Sequence, residues 1–104
     1  MKFMTRVTIP NEAGNALCSD KEMNAKMESV MSDVRPETVY FGVENGQRTI
    51  YCIVNVDAGH ELPRIAEPFW LALKANVEFI PVMNQEEFKK AQVHIESASK
   101  KYNK

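Results

Sequence analysis

Asn45-Gly46 stands between two segments of alternating polarity, Thr38 to Glu44 and Gln47 to Val56. Both central positions of a two-residue hairpin turn need positive φ, which Asn and Gly tolerate best. With that turn, Glu44 pairs with Gln47. Phe41 then falls opposite Ile50, Val39 opposite Cys52 and Tyr40 opposite Tyr51. The apolar faces match without a register shift, so an antiparallel sheet has to be built outward from this hairpin.

Strand-like and helix-like periods alternate around it. Lys2 to Ile9 reads as a strand with Phe3, Thr5, Val7 and Ile9 on one face and Met4, Arg6 and Thr8 on the other. Pro10 ends it, and Asn11 is placed to cap a short helix that Gly14 weakens. Ser19 with Glu22 has capping-box spacing, and Met23, Met27, Val30, Met31 and Val34 then share one helical face as far as Pro36. Leu62, Ile65, Ala66, Phe69 and Leu73 stripe a second long helix. Pro68 predicts a kink or restart in it, and Asn76 its end. Val77 to Val82 is a fourth strand that Pro81 confines to a sheet edge. Asn84 caps a last helix of about 85–101, with Phe88, Ala91, Ile95, Ala98 and Tyr102 spaced three and four apart.

The order βαββαβ with right-handed crossovers gives an α+β domain. Its four-stranded antiparallel sheet runs 4-1-3-2, with the helices on one face and an extra C-terminal helix. Residues 1–104 form a single domain by length. The helix-facing side collects Phe3, Val7, Ile9, Val39, Phe41, Val43, Ile50, Cys52, Val54, Val77 and Phe79. The other side carries Met4, Arg6, Tyr40, Tyr51, Ile53, Glu78, Ile80 and Val82. Such a face is too apolar for a solitary domain to leave in water. Covering it is worth several kcal/mol at roughly 25 cal/mol per Å². A homodimer through the open sheet face, the last helix, or a ligand is expected to cover it.

The formal net charge of -1, with no basic run before Lys100, Lys101 and Lys104, argues against nucleic acid. Those three lysines read as a frayed, solvated end. No apolar run is long enough to span a membrane. Thr5, Arg6 and Thr8 interrupt any signal-like segment, and a cytoplasmic location is expected. Two cysteines, Cys18 and Cys52, fit a reducing compartment.

The pattern resembles the ferredoxin-like, dimeric α/β-barrel superfamily. That group includes muconolactone isomerases, cofactor-free monooxygenases of antibiotic biosynthesis, YCII-related proteins and stress-responsive barrel proteins. Four strings are similar to those of small bacterial proteins of this fold: Ile-Pro-Asn-Glu-Ala-Gly-Asn (9–15), Tyr-Phe (40–41), Glu-Asn-Gly-Gln-Arg-Thr (44–49) and Ile-Ala-Glu-Pro-Phe-Trp-Leu-Ala-Leu (65–73). The resemblance implies a fold and a dimer, and brings no reaction with it.

Candidate chemistry gathers on the open face. Arg6, Tyr40, Tyr51 and Glu78 share it near mid-sheet, with Arg6 and Glu78 on adjacent strands. One reading is an ion pair and two tyrosines in a dimer interface. The other is a half-buried cleft. There Arg6 holds a carboxylate or enolate oxygen, Glu78 moves a proton and the tyrosines orient an aromatic ligand. Trp70 is either core packing or the wall of a pocket between helix and sheet. YCII-like relatives use a His–Asp pair, but no His stands on the first strand here. Asp57 with His60 is a helix cap and a solvent His before it is a dyad. His60, His94, Cys18 and Cys52 have no metal-ligand spacing, and neither a metal nor a cofactor is expected. Glu12 and Arg48 are expected to pair, tying the first helix to the hairpin.

The expectation is thus a homodimeric protein that binds a small apolar or aromatic molecule. The alternative is a cofactor-independent isomerase or monooxygenase on small aromatic or enolisable substrates.

Overall fold

A computed structural model describes residues 1–103. Lys104, counted above with the basic end, lies outside the described residues. The chain runs β1 (Lys2–Thr8), α1 (Asn11–Ser19), α2 (Lys21–Val34), β2 (Thr38–Glu44), β3 (Gln47–Asn55), a 3-10 turn (Gly59–Glu61), α3 (Leu62–Leu73), β4 (Asn76–Pro81) and α4 (Gln85–Tyr102). All strand pairs are antiparallel. The sheet order is β2-β3-β1-β4, which is 4-1-3-2 counted from the β4 edge.

The hairpin has the register that its turn demands: Tyr40 opposite Tyr51, Phe41 opposite Ile50, Glu44 opposite Gln47. Asn45 and Gly46 take φ of 52° and 73°, as a type I′ turn requires. One core joins Val7, Ile50, Cys52 and Val54 of the sheet to Val30 and Val34 of α2 and Ile65, Phe69 and Leu73 of α3. The α2 and α3 helices therefore cover one face, and the residues between these strand positions point away from them.

Local details depart from the sequence reading. Pro10, not Asn11, is the N-cap of α1, with no side-chain cap bond. Asp20, not Ser19, caps α2 by accepting from the Glu22 N–H at 2.9 Å. The Asp20 carboxylate reaches the Glu22 N–H from one residue further on than Ser19, whereas Pro10 only fixes the backbone angle at which the chain enters α1. The α3 helix does not restart at Pro68, which lies inside one continuous helix. The core contacts of Ile65, Phe69 and Leu73 on either side keep it continuous. Lys74, in the left-handed region at φ 52°, ends α3, and Asn76 already belongs to β4.

Two expected core residues, Phe41 and Val43, are 74% and 73% exposed. Both lie on the β2 edge strand, where α1 and α2 stand off from the sheet. A groove of about 290 Å³ separates Leu17 and Met27 from Phe41.

The α4 helix is longer than expected by one residue and buries none of its side chains. Lys100 and Lys101 are in its last turn, where positive charge suits the helix dipole, and are not frayed chain. The radius of gyration is 17.3 Å and the longest extent 58 Å. A compact chain of this length has a radius of about 13 Å. The excess is α4, which at 18 residues is roughly 27 Å long and projects from the body.

Candidate functional site on the open sheet face

Register places the residues of the open face in rows. Ile80, Met4, Ile53 and Thr38 form one row across β4, β1, β3 and β2. Glu78, Arg6, Tyr51 and Tyr40 form the next. Asn76, Thr8, Thr49 and Gly42 form the third. The face is thus apolar toward Pro81 and polar toward the hairpin turn.

Arg6 holds the centre of the polar row. Its Nε donates to Glu78 Oε1 at 3.2 Å and its Nη2 to Glu78 Oε2 at 2.7 Å. This two-point pairing is the geometry that a planar guanidinium favours. Glu44 Oε2 lies 3.5 Å from the same Nε. Glu44 is the site residue that the sequence reading missed. The signal was present, because Tyr40, Gly42 and Glu44 alternate onto one face of β2.

Gly42 has a reason to be glycine. A Cβ there would meet Tyr51 Cε2 at 3.1 Å. The Tyr51 ring leans over Gly42 toward Glu44, and a Cβ at 42 would require the ring to shift by a few tenths of an ångström. Tyr40, beside it at the edge, is 66% exposed.

The charges set one another. The hydrogen bond from Arg6 holds the Glu78 carboxyl below the usual range, and Glu78 in turn raises Arg6. Burial, and then the hydrogen bond to Glu44, push the Tyr51 phenol up. Glu78 is therefore an ionised carboxylate and Tyr51 a neutral donor at neutral pH. Arg6 with Glu44 and Glu78 sums to one negative charge. The site opens into a hollow of about 410 Å³ lined also by Thr8, Asn45, Gln47 and Asn76.

This arrangement suits some chemistry and not the rest. Two of the Arg6 nitrogens are taken by Glu78, so a carboxylate ligand must compete with an existing bidentate partner. A depressed Glu78 can accept a proton but is a poor general acid. Ligand groups that donate hydrogen bonds fit the two carboxylates better.

Arg6, Glu78, Tyr51 and Tyr40 are brought together as a row. Trp70 is not with them: it lies on α3, in the layer on the opposite side of the sheet, 44% exposed. Helix periodicity explains it, since Ala66, Phe69 and Leu73 take the buried stripe and leave Trp70 at its margin. Asp57 and His60 are exposed, and their loop is instead held by Glu61, which accepts from the Asp57 and Ala58 N–H groups at 2.9 and 3.2 Å. These bonds lower the Glu61 pKa. Arg48 does not pair with Glu12. It reaches Asn15 Oδ1 at 3.2 Å and Cys18 Sγ at 3.7 Å, one and two turns further along α1. It crosses Gly14, where a Cβ would stand 2.5 Å from Arg48 Nη1. The expected tie between α1 and the hairpin exists, with different partners.

Neither family models nor curated proteins give a match to this chain. No helix among the described residues is long and apolar enough to cross a membrane.

Proposed function

We propose that the protein is a cytoplasmic homodimer of ferredoxin-like, dimeric-barrel type that binds a small aromatic molecule against its open sheet face. The observation that carries this reading is the make-up of that face. A half-buried apolar row of Ile80, Met4 and Ile53 adjoins a preformed polar row of Glu78, Arg6 and Tyr51. A second copy stacked on the apolar row leaves the polar hollow as a wall of the space between the sheets. The tyrosines offer faces for an aromatic ring. Glu44 and Glu78 accept from ligand hydroxyl or amino groups, and the hydrogen bond from Arg6 keeps Glu78 ionised.

Light scattering tests the dimer: a mass of twice 11.9 kDa is expected at micromolar concentration. Ile53→Glu is expected to stay folded and to dimerise more weakly, because the charge falls in the middle of the apolar row. NMR titration with phenolic and benzoate-type compounds tests the ligand. Phenols and anilines should shift the Tyr51 and Gly42 amides, and benzoates should not. A monomeric wild type, or benzoates binding best, overturns the reading.

The ionised Glu78 beside Arg6 favours one alternative, a cofactor-independent isomerase or monooxygenase on enolisable aromatics. There Glu78 takes the proton and Arg6 steadies the enolate oxygen. Glu78→Gln should then abolish turnover while leaving ligand binding within a few-fold.

A further inference from the structure

The α4 helix is a self-complementary arm, and we infer that it pairs antiparallel with α4 of a second copy. The observation is separate from the open sheet face. Among the described residues no side-chain hydrogen bond or ion pair joins α4 to the body, and none of its residues is buried. Yet Phe88, Ala91, Ile95, Ala98 and Tyr102 recur at intervals of three, four, three and four. That is the narrow stripe of a helix meeting one other helix, not the broad one of a helix lying on a sheet.

The sizes along the stripe choose the orientation. Large residues (Phe88, Ile95, Tyr102) alternate with alanines (Ala91, Ala98). In an antiparallel pair each large position faces a position of the other kind. Phe88 meets the partner's Ala98, and Ile95 meets the partner's Ala91, so every full layer holds one large and one small side chain. A parallel pair would stack Phe on Phe and Ala on Ala, leaving tight and hollow layers in turn.

Charge agrees. Glu86 and Glu87 open the helix and Lys100 and Lys101 close it. The same antiparallel register sets Glu87 beside Lys101 of the partner subunit and opposes the two helix dipoles. Glu87 Oε1 accepts from the Asn84 N–H at 3.3 Å, which leaves its second oxygen for that contact. The two-fold axis then passes beside Val93, with Gln92 on one flank next to its own copy.

This register is tested in the full chain carrying Cys18→Ser, which removes the exposed thiol. Gln92→Cys and Ser99→Cys are each treated with a short bismaleimide. Position 92 should cross-link to itself about tenfold faster than position 99. The two copies of position 99 lie about 18 Å apart along the pair, at 1.5 Å per residue. Ile95→Asp should remove the cross-link at 92 without lowering the melting temperature of the body, because α4 buries nothing in it. Equal cross-linking at the two positions, or none at 92, overturns the pairing, including the case in which α4 lies on the partner's sheet. Gln92→Cys combined with Ile53→Glu separates the two claims: the cross-link at 92 should persist there, because the α4 contact does not depend on the sheet face.

Discussion

At the scale of single residues, the site is a matter of which proton sits where. Glu78 is depressed by the hydrogen bond it accepts from Arg6. Its contribution to folding is therefore complete above the ordinary glutamate value of about 4.3 and is lost as pH falls through its lower folded value. Carboxyl NMR should show Glu78 titrating below that ordinary value, and Arg6→Gln should return it upward. Cys52 is fully buried, and burial raises its thiol to about 11. A thiol reagent at pH 8 should modify Cys18 alone in the native protein and both cysteines in denaturant. Thr5 is a different case. Its Oγ1 is buried without a hydrogen-bond partner, between Cys52 and Phe79 in the register. Thr5→Val keeps the shape and removes the unpaired group, so chemical denaturation should find it more stable by about 1 kcal/mol. The sequence assigned Thr5 to the apolar face correctly, but periodicity does not report whether a hydroxyl finds a partner.

At the scale of elements, the hairpin was legible in full because its register follows from turn chemistry and alternation alone, both local. Gly46→Ala places a Cβ at φ 73°, and urea melts should show a loss of about 1 kcal/mol. Arg48 was half legible. Its role as a tie to α1 followed from the chain path, but its partner depended on where Gly14 lets the guanidinium cross the helix. Caps were the least legible, since Pro10 and Asp20 compete with neighbours only one residue away. The α4 cap is clearer: the Asn84 side chain accepts from the Glu87 N–H at 2.8 Å. Asn84→Ala should fray the first turn of α4, costing about 1 kcal/mol of helix stability, read as faster amide exchange at residues 85–88 while α3 exchange is unchanged.

At the scale of the whole molecule, the sheet has one face closed by α1 to α3 and one face open, and a helix stands off the body. Phe69→Ala, at the centre of the closed side, should cost about 3–5 kcal/mol because nothing can collapse into the space between α3 and the sheet. By itself the sequence determined the strands, their pairing, the core stripe of α2 and α3, and which residues turn away from the helices. Those follow from periods of two and 3.6 residues and from turns that only certain residues can make. Only the tertiary structure decided that Glu44 joins Arg6 and Glu78, that Trp70 lies across the sheet from them, that Phe41 and Val43 escape the helix layer, and that α4 leaves its own sheet uncovered. Each of these depends on how far one element stands from another, and a pattern along the chain fixes directions without fixing distances.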